Sequence, residues 1–559
     1  MLSLLSEYFA LTGLRARVLL SLTAVAILNG AINIGLVAII TVALYGASNW
    51  SLRALAGCFV LAGLLYLGSE TVLQTRLARL GEQSAAAIRR RLVLAISAAD
   101  LKVSEQIPHH VKQAAIGRDS DILSGGMASL LAFVSSLATV VGGAVYMTVL
   151  SPLSALLFCC VIALTVGAYL FLSGSLTGDL RKAYESNDQF FRFSEDLVHG
   201  QKELKLDRRW AGEFMRDDVL ATLARAGVEL GNVKSRQMKV GQLATLAFIS
   251  LIGLATFFGR FHADINKEVA TGFVLTLLFL QGPIHNAVVR IPALSEAVVA
   301  MRRINGLLSS LAVHAETPAE GITGSLLAWR RLRLDSIGFA YQNAERPERR
   351  ALESIDLEIE RGDLVFIVGG NGSGKTTLAK IISGLYCPTD GGLWLDDQRL
   401  PGNQLPLYRQ QFTAIFSDVH LFSRDVTAMN PEVEQRVRAL LKELELVPSL
   451  TADNRWDPLA LSQGQKKRLA LAYAMGQDSP VLFFDEWTAD QDPEFRVYFY
   501  DVFLPRLQAQ GKTVFVISHD DRYFHRADVL VKLERGRLRE VSRPTATLQN
   551  APSDSVAMS

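Results

Sequence analysis

Charge is missing from long tracts of the first 300 residues, and this limits the folds open to the chain more than any other feature. No charged residue lies between Arg17 and Arg53, and none from Ile122 to Gly178. A helix needs about 20 apolar residues to cross a bilayer. The first tract therefore holds one span and the second holds two, with Ser151-Pro152 as the turn between them. Residues 54–69, which run up to Glu70, together with 240–259 and 269–289, bring the expected number of spans to six. Half of the 559 residues are hydrophobic, as a chain with a membrane-inserted half requires.

Lys and Arg mark the sides of the membrane. The stretch between the second and third spans carries Arg76, Arg79, Arg89, Arg90, Arg91, Lys102, Lys112 and Arg118. The stretch between the fourth and fifth is basic from Arg181 and Lys182 to Lys239, whereas the short connections near 46–49 and 151–152 carry no charge. Both long loops and both termini are therefore expected on the cytoplasmic side. Residues 77–100 and 180–197 mix charge with helical periodicity, which predicts that the spans continue as helices into the cytosol. Short helices are expected at the tips, near 108–117 and 199–207. They would touch a soluble unit or, as basic loops, anionic lipid. A net charge of +2 gives no nucleic-acid signature. Cys58, Cys159, Cys160 and Cys387 form neither a metal spacing nor a disulfide framework. Residues 1–16 do not read as a cleaved signal peptide. No Cys/His extension precedes the first span, which argues against a processing peptidase.

Charge density rises after Glu316, and Pro318, Gly321 and Gly324 mark a linker. Two expected strands, 332–337 and 355–359, precede the apolar run Leu364-Val365-Phe366-Ile367-Val368. Gly369-Gly370-Asn371-Gly372-Ser373-Gly374-Lys375-Thr376-Thr377 follows and fits G-x-x-x-x-G-K-[ST]. Leu378–Ile382 then has helical spacing and ends near Gly384. In a strand–glycine loop–helix, successive backbone N–H groups and the helix N-terminus surround phosphate oxygens. Asn371, Gly372, Ser373, Gly374 and Thr377 belong to this cradle. Lys375 would reach the β- and γ-phosphates, and Thr376 would join the Mg²⁺ shell. The chain is expected to bind ATP with Mg²⁺. Tyr341, upstream, is a candidate to stack on the adenine or to pack in the core.

Val481-Leu482-Phe483-Phe484 delivers Asp485 and Glu486 at a strand's C-terminal end, where parallel α/β sheets bind ligands. Asp485 would hold Mg²⁺ and Glu486 would orient or deprotonate the attacking water.

Leu461-Ser462-Gln463-Gly464-Gln465 opens an expected helix over 466–475. It resembles the LSGGQ signature of ABC ATPases. Asp492 resembles the D-loop acid of that family, and His519 in Val-Ile-Ser-His-Asp its switch histidine. The resemblance implies a membrane α-helical domain, of the six-helix exporter type, fused to an α/β P-loop ABC ATPase domain. The membrane domain is expected over 1–315, a linker over 316–328, the ATPase over 329–545 and a polar tail over 546–559. A narrower likeness lies in 485–493, in Ser518-His519-Asp520-Asp521-Arg522-Tyr523-Phe524, in Phe416-Ser417-Asp418-Val419-His420-Leu421-Phe422, and in Gly200-Gln201-Lys202-Glu203-Leu204-Lys205-Leu206. These look like the cyclic-peptide exporters of Gram-negative bacteria, the group of the pyoverdine-precursor and syringomycin exporters. One departure stands out: Ser417 occupies the position of the family's Mg²⁺-contacting glutamine. Asp418 beside it would take the metal role or face solvent. The stretch 422–461 is short for the family, so a reduced helical subdomain is expected.

The resemblance implies Glu486 and His519 as catalytic residues, with Ser462, Gln463, Gly464 and Asp492 completing the nucleotide site of a second copy. With one phosphate loop and one signature per chain, the working unit is expected to be a homodimer that exports a peptide-like compound across the bacterial inner membrane. Cyclic peptides, lipopeptides and siderophore precursors are the substrates implied. A periplasmic or outer-membrane partner is left open. An importer on the same membrane fold, or a non-pumping ATP-gated protein, is the alternative. Polar residues within the spans are the candidates for the substrate path: Asn29, Asn33, Glu70, His285 and Arg290, with Gln74 and Asn286 beside them. Their other reading is helix–helix hydrogen bonding, with Glu70 snorkelling to the boundary.

Overall fold

The structure is a computed structural model that describes residues 7–8, 11–13, 16–45, 51–150, 176–261, 267–312, 329–343, 346–422, 430–446 and 461–544, with 151–175 described in part. The chain divides into two compact units, one drawn from Met1–Ser97 and Val103–Val313, the other from Ala98–Lys102 and His314–Ser559.

The first unit is helical. Its long helices are α1 (Ala16–Tyr45), α2 (Leu52–Ala98), α3 (Ser120–Leu150), α4 (Leu176–His199), α5 (Ala221–Phe261) and α6 (Lys267–Ala312). Among the described residues, four segments are long and apolar enough to cross a membrane: Leu20–Leu44, Leu52–Ala98, His109–Val149 and Thr271–Ala312. The fourth expected span and the Ser151 turn fall largely outside the described residues, and the fifth falls within α5. At 47 residues, α2 is about 70 Å long against a hydrocarbon core of about 30 Å, so its charged second half continues past the bilayer as expected.

Short helices occupy the two tips: Leu101–Gln106 and His109–Ala114 in one, Gln201–Leu206 and Arg208–Glu213 in the other. Asp207 caps the last of these by accepting from the N–H groups of Arg209 and Trp210, each at 3.0 Å. Small residues let α3 and α6 approach closely, since a Cβ on Gly126 would lie 2.2 Å from Ala297 Cβ. At the charged end, Asp188 of α4 pairs with Arg118 at 3.4 Å and with Arg303 of α6 at 3.5 Å.

Among the described residues, the second unit holds two sheets. Strands β1 (Arg331–Asn343), β2 (Arg346–Glu360), β3 (Leu364–Gly369), β4 (Asp390–Leu395), β5 (Gln398–Arg399), β6 (Phe412–Ile415), β7 (Val481–Asp485), β8 (Thr513–Ile517), β9 (Val529–Glu534) and β10 (Arg537–Ser542) alternate with helices α7 (Lys375–Ile382), α8 (Pro431–Glu443) and α9 (Gln463–Gly476). The antiparallel sheet runs β2-β1-β4-β5 and the larger one β10-β9-β3-β8-β7-β6. In the latter, β6, β7, β8, β3 and β9 are parallel. Covered on both faces, β7 and β8 are wholly buried, which is why they read as unbroken apolar runs. Alternate residues feed two cores. Val365, Phe483 and Phe515 pack toward β1, β2 and α7, while Phe366, Phe484 and Val514 pack toward α9 and Trp487. Within this unit the Lys102 ammonium lies 4.7 Å over the Phe339 ring.

Candidate functional site

The phosphate loop leaves β3 at Gly369 and enters α7 at Lys375. Gly374 sits at φ +102°, and a Cβ there would stand 2.9 Å from the Ala351 carbonyl oxygen, so this position accepts only glycine. Lys375 is buried, and its ammonium donates to the carbonyls of Gly369 at 2.9 Å and Gly370 at 3.2 Å. The charge thus rests inside the loop it would share with a phosphate. Thr376 Oγ1 donates to Asp485 Oδ2 at 3.2 Å, and Thr377 Oγ1 lies 3.1 Å from the Tyr341 hydroxyl. The helix closes ahead of Gly384, at φ +70°, as its spacing predicted.

Asp485 ends β7 opposite Ile517 of β8 and is 1% exposed. Burial pushes its carboxyl above the ordinary range; the nearby charges of Glu486 and Asp418 push the same way, while Thr376 and Lys375 oppose them. The next residue turns left-handed: Glu486 has φ +48°, and its N–H is held by the Ile517 carbonyl at 3.1 Å. This turn aims the carboxylate away from the strand, so that Oε1 meets His519 Nε2 at 3.1 Å.

Tyr341, residues 371–377 and Glu486 line one pocket of about 630 Å³. Four residues that sequence reasoning missed join them: Arg350, Ala351, Arg535 and Gly536. The Arg535-Gly536 turn between β9 and β10 is clamped onto the phosphate loop. Gly536 N–H donates to the Ser373 carbonyl at 3.0 Å, and Glu353 N–H to the Gly536 carbonyl at 2.7 Å. Nothing local in the sequence ties this turn to the phosphate loop. Neither arginine makes an ion pair among the described residues.

The signature residues lie elsewhere. Ser462 caps α9, its Oγ accepting from Gln465 N–H at 3.2 Å while Gln465 Oε1 accepts from Ser462 N–H at 2.9 Å. A Cβ on Gly464 would stand 2.8 Å from the Asp490 carbonyl oxygen. Gln491, also missed, donates to the Gly464 carbonyl at 3.1 Å and accepts from Arg468 at 2.8 Å. Arg468 pairs with Asp492 at 2.5 Å. The Phe495 N–H and Arg468 together hold the Asp492 carboxyl below the usual range. Buried Lys467 joins Asp490 at 2.7 Å and the Glu486 carbonyl at 3.2 Å. Ser462, Gln463, Gly464 and Asp492 do not line the pocket, and neither do His519 and Asp418. Asp418 and Ser417 are exposed.

In the helical unit a second, polar cavity of about 140 Å³ is lined by Asn29, Asn33, Glu70, Gln74, Asn286 and Arg290, among others. The candidate His285 is exposed and does not line it.

With this geometry in hand, likenesses to known proteins can be placed. Residues 352–489 match the family model described as ABC transporter. The chain is 35% identical over 376 residues to the ATP-binding protein SyrD of Pseudomonas syringae pv. syringae, spanning 64% of this chain and 66% of that protein. It is 30% identical over 410 residues to the ATP-dependent lipid A-core flippase of Chromobacterium violaceum, spanning 70% and 68%. The flippase of Cupriavidus metallidurans is 31% identical over 59% of its length. A solved structure of a bacterial Atm1-family ABC exporter with ATP bound superposes with a TM-score of 0.77 at 16% identity, covering 96% of this chain and 97% of that one.

Proposed function

The chain belongs to the ABC transporter family, and on that premise we propose that two copies form an ATP-driven exporter of a peptide-like compound in the bacterial inner membrane, with both termini cytoplasmic. The observation that carries this reading is a division of labour along one chain. Lys375, Thr376 and Glu486 line one pocket, with Asp485 joined to it through the Thr376 hydroxyl, while Ser462, Gly464 and Asp492 stand outside it. A helix start that could donate to phosphate, yet lies off its own chain's pocket, is useful only across an interface. Nucleotide bound between two such faces would draw them together, and hydrolysis would release them.

The donors at the site fit Mg²⁺. A buried carboxylate facing a threonine hydroxyl, beside a phosphate cradle, offers the hard oxygen ligands that this ion shares with substrate phosphates and water. When bound, the ion would neutralise phosphate charge. Thr376 and Asp485 would hold it, Lys375 would bind the phosphates, and Glu486, oriented by His519, would position the attacking water and accept its proton.

Peptide-like cargo is supported by the resemblance of residues 485–493, 416–422 and 518–524 to the cyclic-peptide exporters and by a polar cavity that is not predominantly basic. The test is uptake of labelled peptide metabolite into inside-out proteoliposomes with Mg-ATP. Accumulation that depends on ATP and is lost in Glu486→Gln supports the proposal. Uptake only into right-side-out vesicles would make the protein an importer, and flux without turnover would make it a gate.

A further inference from the structure

The polar cavity of the helical unit contains two opposite charges that do not meet. Glu70 of α2 is fixed on both oxygens by neutral amides. Asn29 Nδ2 of α1 donates to Oε2, and Gln74 Nε2, one turn along α2, donates to Oε1 at 2.8 Å. Asn29 is itself held, 3% exposed, with its Oδ1 accepting from Ser69 Oγ at 2.8 Å. No cation pairs with this carboxylate among the described residues. Arg290 of α6 lines the same cavity and makes no hydrogen bond or ion pair among the described residues.

Charges inside a membrane bundle are costly, and partners that serve only to join helices gain most by closing on each other. Here the carboxylate is immobilised instead, apart from the guanidinium, with a cavity of about 140 Å³ at hand and the amides of Asn33 and Asn286 on its wall. Such a site is complementary to a ligand that brings both signs. It is mismatched to a polyanionic head, which Glu70 would repel, and to a purely apolar one.

We propose that this cavity recognises a dipolar group: an ammonium against Glu70, a carboxylate against Arg290, and an amide between Asn33 and Asn286. The ligand class is a peptide-like compound carrying an amine and an acid within reach of each other. The cavity holds that portion of a larger molecule. This inference rests on the exporter reading above and narrows its substrate class.

The test uses the full chain in lipid nanodiscs, a tritiated free-ended tripeptide as probe, and its N-acetyl, C-amide and doubly blocked forms as competitors in equilibrium dialysis. In the wild type each single block is expected to weaken binding about tenfold, the loss of one charged contact. Glu70→Gln, which keeps an acceptor for Asn29, should abolish the effect of acetylation and leave that of amidation. Arg290→Gln should do the reverse, and Arg290→Lys should restore the preference for a free carboxylate, which a packing role would not do. The proposal is overturned if the wild type does not distinguish the four peptides or shows no saturable binding at millimolar concentration. It is equally overturned if the variants weaken all four peptides alike. ATP turnover in the same preparations is read separately. Turnover without peptide discrimination sinks this site alone, whereas discrimination without turnover sinks the exporter reading alone.

Discussion

His519 Nε2 stands 3.1 Å from Glu486 Oε1, joining the ends of two neighbouring parallel strands. The left-handed turn at Glu486, at φ +48°, brings the carboxylate out of the sheet to meet the ring. If Glu486 is the group that takes the proton from water, Glu486→Gln lowers kcat by about a hundredfold or more. It should leave ATP affinity intact. His519→Ala should fall between this variant and the wild type, because it removes an orienting contact and not the base. Single-turnover hydrolysis beside nucleotide-binding titrations checks both, and equal rates for Glu486→Gln and wild type would remove Glu486 from the chemistry.

Ser462 caps α9 and, in the proposed dimer, would also meet the nucleotide of a second copy, two roles that substitutions can separate. Within its own chain its hydroxyl caps α9, so Ser462→Ala is expected to cost about 1 kcal/mol of stability. Asp caps a helix as well as Ser does, but it would repel a phosphate presented by a second copy. Ser462→Asp should therefore unfold at the wild-type temperature yet lose ATP-driven dimer closure and turnover. Thermal unfolding alongside cross-linking of the Glu486→Gln background reads the two effects independently. A fully active Ser462→Asp would mean that the signature never meets nucleotide.

Arg350 and Arg535 place two further guanidiniums in the pocket lined by the phosphate loop, near the side of the loop where Ala351 backs Gly374 and Gly536. Both are exposed, so each contact with nucleotide is partly screened. Replacing either with Ala should weaken ATP binding about three- to tenfold. It should also reduce the salt dependence of that binding, and fluorescent-nucleotide titrations at two ionic strengths measure this. Unchanged affinity would leave the arginines as a solvated rim.

What could be read from sequence was what lies contiguous along the chain. Lys375 and Thr376 follow a buried strand, and Asp485 and Glu486 end another, so local periodicity placed all four. Arg350, Arg535 and Gln491 escaped because their roles arise from strand pairing and from a turn folded back on a distant loop. The same holds in the helical unit. Asn29 and Glu70 were each candidates, but their hydrogen bond across 41 positions depends on how α1 packs against α2. The reduced helical subdomain expected over 422–461 lies partly outside the described residues, since only α8 and its neighbours are described there.

The pH response of the ATPase unit offers a check that needs neither substrate nor nucleotide. Glu443 of α8 accepts from Arg506 at 2.5 Å and from the Tyr498 hydroxyl, and these bonds, the arginine's first, lower its carboxyl from the ordinary 4.5. Below that value the unfolded chain takes up a proton before the folded one does. The stabilisation is therefore complete above the ordinary value and is lost as pH falls through the folded one. Arg506→Ala should flatten this part of the acid limb. At neutral pH it should lower Tm by no more than about 3 °C, because an ion pair this exposed is worth at most about 1 kcal/mol. Tyr498 moves the other way: burial and Glu443 push its hydroxyl up to about 12, so its part in stability fades as pH rises from 10 toward that value. Melting curves of the full chain across pH, for wild type and Arg506→Ala, decide the matter. Parallel acid limbs would show that the pair contributes nothing.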